Sequence, residues 1–236
     1  MSNKCKVTLI QLLEGNVYRI LLCPELELSF KAGQYLIIEI GQEDKRVFSI
    51  ASSPLRYKNL LELHIKSSRN NMYTLSTIKA IKQAFRGDAY INIDGPYGQA
   101  WIREKSQRKV LLIADRNGFS YIRSIFEHCI MANKSNKIFF YLGIEKSSQM
   151  YAKKEIMAIQ NKNTNIHLIS VIKNIDNWQG KIESFLQGIE NDFKSLEKYD
   201  IYIGGRFEMA TIARDRFIQN KQASSMHMYS DAYAFI

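Results

Sequence analysis

The first hundred residues carry short hydrophobic runs broken by turn signals. Runs rich in strand formers at 6–12, 17–22, 35–40, 46–51, 60–65 and 89–93 predict six strands. The turn signals between them are Glu14-Gly15-Asn16, Lys31-Ala32-Gly33, Gly41-Gln42-Glu43-Asp44 and Gly95-Pro96-Tyr97-Gly98. A helical stretch at 75–85 interrupts the series. Strands at this spacing predict a small antiparallel barrel or sandwich, with a six-stranded antiparallel β-barrel as the expected form. After Trp101 the pattern changes. Val110-Leu111-Leu112-Ile113-Ala114 is a continuous apolar run, and further strands at 138–142, 166–172 and 200–203 alternate with helical patterns at 121–132, 149–160, 182–189 and 207–219. Fully apolar strands alternating with helices predict a parallel sheet covered on both faces. The hydrophilic stretch 103–108 marks the boundary, giving a β domain at 1–104 and an α/β domain at 105–236.

Composition narrows the function classes. Of 236 residues, 46% are hydrophobic and 24% charged, which places the chain among globular proteins. The net charge is +10, but Lys is interspersed with Glu and Asp and no nucleic-acid module motif is present. Small anions such as nucleotides suit this charge better than nucleic acid. Cys5, Cys23 and Cys129 are odd in number and widely spaced, and His64, His128, His167 and His227 form no metal-spaced cluster. No disulfide framework or metal site is expected. The apolar run 7–13 is too short for a signal peptide and no stretch approaches the roughly 18 residues of a membrane span. A cytoplasmic protein is expected, with a monomer as the default.

The stretch Arg46-Val47-Phe48-Ser49-Ile50-Ala51-Ser52-Ser53-Pro54 carries the first candidate chemistry. It offers an aromatic for a ring face, hydroxyls for a ring edge and a guanidinium for a phosphate or carbonyl. That combination suits a flat ligand edged with heteroatoms. An ordinary strand followed by a Ser/Pro turn fits the same residues. Two further candidates lie after predicted parallel strands, where ligands of open α/β sheets bind. Asp115-Arg116-Asn117-Gly118-Phe119-Ser120 leads into a helix, whose first amides favour anions. Gly204-Gly205-Arg206-Phe207-Glu208-Met209 follows the last strand, and its paired glycines suit either a packed ligand or a tight turn.

The order of these motifs resembles the ferredoxin–NADP⁺ reductase superfamily: Arg-x-Phe-Ser at 46–49, Gly-Pro-x-Gly at 95–98, a strand with a Gly-containing loop, then Gly-Gly-Arg-Phe-Glu-Met at 204–209. Within it, the chain is similar to the small bacterial NAD(P)H–flavin reductases. Ala32-Gly33-Gln34-Tyr35, Glu62-Leu63-His64-Ile65, Gly118-Phe119-Ser120-Tyr121, Trp178-Gln179-Gly180 and Asp231-Ala232-Tyr233-Ala234-Phe235-Ile236 extend the match over essentially the whole chain. The resemblance implies reduction of free riboflavin, FMN or FAD by NADH or NADPH. Arg46, Val47, Phe48 and Ser49 would line the flavin, with Ser49 bonded to N5, the hydride acceptor. Ser52, Ser53, His64 and Ile65 would lie near the ring edge and ribityl chain, and Tyr233 to Phe235 over the other side. His64 is equally compatible with a plain strand histidine. Asp115, Arg116, Asn117, Gly118 and Phe119 would hold the nucleotide phosphates, and Gly204, Gly205, Arg206 and Met209 would border the nicotinamide.

Two segments depart from the family pattern. Where the family reads Gly-Gly-Thr-Gly, this chain reads Asp115-Arg116-Asn117-Gly118. A carboxylate about 5 Å from a phosphate opposes it by roughly 3 kcal/mol before screening. Arg116 acts in the opposite sense, and Asn117 retains hydrogen-bonding capacity. Gly143-Ile144-Glu145-Lys146 replaces the frequent Gly-Gly-Arg-Glu, reversing one charge. Weakened nucleotide binding is the expectation. Besides a free-flavin reductase, a flavoprotein that keeps its flavin and serves a protein or metal acceptor fits these residues, as does a fold whose catalysis has decayed.

Overall fold

The strand-forming runs of the first hundred residues pair edge to edge. They are β1 (Asn3–Leu13), β2 (Val17–Pro24), β3 (Tyr35–Glu39), β4 (Lys45–Ser49), β5 (Leu61–Lys66) and β6 (Tyr90–Tyr97). Their order in the sheet is β4-β3-β6-β1-β2-β5, with every neighbouring pair antiparallel. The computed structural model describes residues 2–40, 44–68, 71–115, 118–144, 153–172 and 178–235.

Side chains alternate across a strand, so one set of each pair points inward. Ile20 and Leu22, Leu36 and Ile38, Leu63 and Ile65, and Ile91 and Ile93 meet in one core. The helix α1 (Met72–Arg86) adds Ile78, Ile81 and Ala84 at helical spacing. Each fully buried Leu or Ile contributes about 2 kcal/mol. α1 starts three residues before the predicted helix because Asn71 caps it, its side-chain oxygen accepting from Thr74 N–H at 3.2 Å.

Strands β4 and β5 sit at opposite edges of the sheet order, and the chain after β4 stitches them together. Ile50 N–H donates to Gln34 O at 3.0 Å, and Ala51 N–H donates to Glu62 O at 2.7 Å. Glu62 N–H reaches Ser52 Oγ at 3.4 Å. Edge groups that would otherwise stand open are thus satisfied by residues 50–52.

The second half forms a parallel sheet. β7 (Lys109–Ala114), β8 (Ile138–Ile144), β9 (Ile166–Ile172), β10 (Tyr199–Gly204) and β11 (Met228–Tyr229) run in the order β11-β10-β7-β8-β9. All pairs are parallel, and β10 is buried along its whole length. The helices are α2 (Phe119–Met131), α3 (Lys153–Gln160), α4 (Trp178–Asp192) and α5 (Phe207–Lys221). Strand β11 was not anticipated. Two residues are too few for a pattern, and its place is set by pairing of Met228 with Ile201 and Tyr229 with Tyr202, whose rings stack at 4.9 Å.

The chain divides into two compact units, Met1–Ile102 with Arg123–Asn133, and Arg103–Ile122 with Lys134–Ile236. Polar contacts explain why 123–133 groups with the barrel. Arg123 Nη1 donates to Ala51 O at 2.7 Å, Ser124 Oγ to Ser52 O at 2.7 Å, and Glu127 accepts from Ser53 N–H at 2.7 Å.

Glu62 on β5 is fully buried and lies at the centre of these contacts. Its carboxylate accepts from Arg19 Nη2 (3.1 Å), Tyr57 Oη (3.1 Å) and His64 Nε2 (2.7 Å), and Arg123 Nη1 is 3.4 Å away. Burial pushes its pKa up, but the hydrogen bonds from His64 and Arg19 and the Arg123 charge outweigh burial and hold the group well below the usual carboxylate range. Removing a charge from such a cluster leaves its partners buried without compensation. Glu62→Gln is therefore expected to lower the stability of the protein at pH 7 by about 3 kcal/mol in urea denaturation. Because the folded-state pKa is depressed, this contribution is present above the unfolded carboxylate pKa and is lost as pH falls, so parent and variant converge in acid. A loss below about 1 kcal/mol at pH 7 would mean that Arg19 and Arg123 do not depend on Glu62.

Candidate active site

Strand β4 delivers Arg46, Val47, Phe48 and Ser49 in one extended run. Val47 is exposed, and its N–H donates to Tyr73 Oη at 2.7 Å. Phe48 packs against the barrel core with its ring 5.9 Å from that of Tyr73. Arg46 meets partners within the protein. Its side chain points into the protein, bonded to Asp44 and Tyr73 O, to Ser76 Oγ at 2.6 Å and to Thr77 Oγ1 at 3.1 Å. The guanidinium also lies over the Tyr73 ring at 4.7 Å. Its donors are used in fixing α1 to β4, so it is not a free fork for a phosphate or carbonyl.

Ser49 behaves differently from its neighbours. It is half-buried, and among the described residues its hydroxyl meets no hydrogen-bond partner. Its cross-strand partner is Tyr35, which also pairs with Tyr97. Directly opposed residues share a sheet face, and the Tyr35 and Tyr97 rings are 5.9 Å apart. The Ser49 hydroxyl therefore stands next to the Tyr35 ring on one sheet face, with Tyr97 on the far side of Tyr35. The two tyrosines were not singled out as site residues, because only register puts Tyr35 opposite Ser49 and Tyr97 opposite Tyr35.

The other expected flavin contacts face inward. Ser52 and Ser53 are buried; Ser53 Oγ accepts from Leu55 N–H at 3.1 Å and lies 3.2 Å from His128 Nδ1. The Ile65 side chain belongs to the barrel core. The His64 ring is buried, and since a carboxylate can only accept, its Nε2 carries the proton toward Glu62. Burial, with the nearby Arg123 and Arg19 charges, lowers the His64 pKa against the raising effect of Glu62. Ser52, Ser53, His64 and Ile65 thus meet groups of the protein itself, and a plain strand histidine fits the position of the His64 ring.

In the second unit, backbone proximity builds the candidate nucleotide site. A Cβ placed on Gly118 would lie 1.8 Å from Gly204 C, so only glycine lets the β7–α2 and β10–α5 loops touch. Asp115 N–H donates to Gly204 O at 3.1 Å. Asp115 is buried, with Oδ1 accepting from Gly118 N–H at 2.9 Å and Oδ2 from Arg206 N–H at 3.3 Å. Gly205, with φ +157°, packs against that carboxylate: a Cβ there would lie 2.8 Å from Asp115 Cγ. Arg206 is the N-cap residue of α5. Phe119 is buried and stacks on Phe140 at 6.2 Å, and Met209 is buried in the core. These two side chains support the loops from behind. Arg116, Asn117, Glu145 and Lys146 lie outside the described residues.

The chain is 51% identical to an NAD(P)H-flavin reductase of Vibrio harveyi over the full length of both chains. It belongs to the NAD(P)H-flavin reductase family. A second NAD(P)H-flavin reductase, of Aliivibrio fischeri, is 45% identical, again over the whole of both. Residues 112–215 match the Oxidoreductase NAD-binding domain family, a span that includes both loops joined by Asp115. The fold is that of ferredoxin reductases: the ferredoxin–NADP⁺ reductase of Plasmodium falciparum superposes with a TM-score of 0.76 at 19% identity, covering 96% of this chain and 94% of that one. Among the described residues no group of three or more His, Cys, Asp or Glu side chains could hold a metal ion, and no helix is long and apolar enough to cross a membrane.

In this flavin reductase family member a short helical turn spans Asp231–Phe235, and its Ala232 and Tyr233 pack on the core of the second unit. Tyr233 rests against the α5 core, its hydroxyl donating to Ala210 O at 3.3 Å and the Arg214 guanidinium 5.4 Å from its ring. The Phe235 side chain lies outside the described residues. Burial raises the Asp231 carboxyl from its ordinary 3.8 to about 6. The same carboxyl adds to the burial that lifts the Tyr121 phenol well above its usual range. Between pH 4 and 6 the folded state therefore holds a proton that the unfolded state has lost, and stability falls as pH rises through that window. Asp231→Asn is expected to be about 1–2 kcal/mol more stable than the parent at pH 7.5, with no difference below pH 4. Urea denaturation at pH 4, 5, 6 and 7.5 checks this, and an unchanged or lower stability at pH 7.5 refutes it.

Proposed function

We propose that this protein catalyses NADH- or NADPH-dependent reduction of free flavins, with riboflavin, FMN or FAD as a diffusing substrate. The observation that carries this reading is Ser49. The other polar side chains expected at the ring edge are tied within the protein, whereas among the described residues the Ser49 hydroxyl meets no partner and stands next to Tyr35, with Tyr97 beyond it on the same face. The bound nicotinamide nucleotide supplies a hydride, which passes from C4 to N5 of the flavin. Ser49 donates a hydrogen bond toward N5 and stabilises the charge that develops there. Tyr35 and Tyr97 give a flat ring a surface to lie against. The tied Arg46 favours recognition of the ring system over the phosphate of a flavin nucleotide. The loops at 115–119 and 204–209 hold the nicotinamide nucleotide, supported by the NAD-binding match over 112–215.

The protein acts as a monomer in the cytoplasm on this reading. Three free thiols, two of them buried, support a reducing compartment.

Ser49→Ala is expected to reduce NADH oxidation in the presence of riboflavin by roughly 10²–10³-fold, by analogy with the loss of other single catalytic donors. Thermal unfolding should be unchanged, because the Ser49 hydroxyl bonds nothing in the protein among the described residues. Full turnover in a folded Ser49→Ala protein would remove Ser49 from the mechanism.

A further inference from the structure

The amides at the start of a helix are donors without an intrahelical acceptor, and they carry the positive end of the helix dipole. In this unit two such groups converge, Gly118 N–H before α2 and Arg206 N–H at the N-cap of α5. Both lie within the NAD-binding match, beyond the carboxyl ends of β7 and β10, where an open α/β sheet takes its ligand. Both are already bonded, to the two oxygens of a single carboxylate, that of Asp115. Gly205 has no side chain, and because a Cβ there would lie 2.8 Å from Asp115 Cγ, glycine leaves the room that this carboxylate occupies.

We propose that Asp115 is a built-in anion that competes with a phosphate of the nicotinamide nucleotide for these two amides and thereby sets nucleotide affinity. This rests on the reading of 115–119 and 204–209 as the nucleotide site. The effect has two parts. Phosphate must bind without these donors or displace the carboxylate from them. A carboxylate that stays also repels the phosphate, by a Coulomb effect that water and salt reduce but do not abolish. The carboxylate has a structural part too, since it links the β7–α2 loop to the start of α5. A purely structural role predicts the opposite sign, because loosening the loops would weaken nucleotide binding.

The two roles separate on direct binding. NAD⁺ and NADP⁺ would be titrated by calorimetry into the flavin-free wild-type protein and into Asp115→Asn and Asp115→Ala. Asn keeps one acceptor oxygen without the charge, and Ala frees both amides. The expected result is about tenfold tighter nucleotide binding in Asp115→Asn, no weaker in Asp115→Ala, with riboflavin affinity by fluorescence quenching unchanged. Equal or weaker nucleotide binding in both variants overturns the proposal, as does no binding to any of the three proteins. A parallel shift in riboflavin affinity counts against it, because it reports a general disturbance. If Asp115→Asn fails to fold, Asp115→Ala decides by the same criterion. NADH oxidation by the wild-type protein with riboflavin is measured alongside. Its absence would overturn the assigned reaction, while the calorimetric comparison still decides the role of Asp115.

Discussion

The buried charge of Glu62 constrains the whole turn that follows β4. An isolated carboxylate inside a barrel is strongly unfavourable, so it must be surrounded by donors. Arg19 from β2, Tyr57 from the turn, His64 from its own strand and Arg123 from α2 meet this demand. Each of them is thereby fixed in place. Arg123 then reaches Ala51 O, while Glu127, one helical turn on, takes the Ser53 N–H and pairs with Arg56 at 2.7 Å. The hydroxyl-rich turn is held from behind by this set of charges, and the edges of the barrel close through the same residues. Ser49 lies one step before the held turn and is left open.

The second unit positions its loops by a different device. There the positioning device is the missing side chain. Gly118 and Gly204 let two loops meet at backbone distance, and Gly205 leaves room for the Asp115 carboxylate. The contact is intolerant of substitution because backbone cannot move aside as a flexible side chain can. The occupant is a carboxylate, at the position where the sequence resemblance led one to expect glycine.

Much of the fold was legible in the chain. The switch from short strands with turn signals to continuous apolar strands alternating with helices marked the change from an antiparallel to a parallel sheet. Local chemistry shifted the element ends. Asn71 starts α1 at Met72 through its side-chain cap, a signal present in the sequence but outweighed by the hydrophobic pattern that begins later. The two-residue β11 has no local signal at all. Of the candidate site, Ser49 and the two Gly-containing loops were readable from motif order. The orientation of Arg46 was not, because its partners Tyr73, Ser76 and Thr77 are 27 to 31 positions away along the chain.

By itself, the sequence determined which residue types were available and in what order: a strand ending in Ser49, glycines after two parallel strands, and an aspartate in place of a glycine. These are matters of local composition and spacing, and they suffice to place the chain in its family. Tertiary structure alone decided which polar groups were already used. Arg46, Ser53 and His64 share composition with a ligand site, but Arg46 and Ser53 meet Ser76 and His128, distant in sequence, and His64 meets Glu62 on its own strand, while among the described residues the Ser49 hydroxyl meets no partner. The same holds for Asp115, whose charge was visible in the chain but whose capture of the Gly118 and Arg206 amides depends on a loop 91 positions away. A hydrogen bond is a statement about distance in space, and separation along the chain carries no record of it.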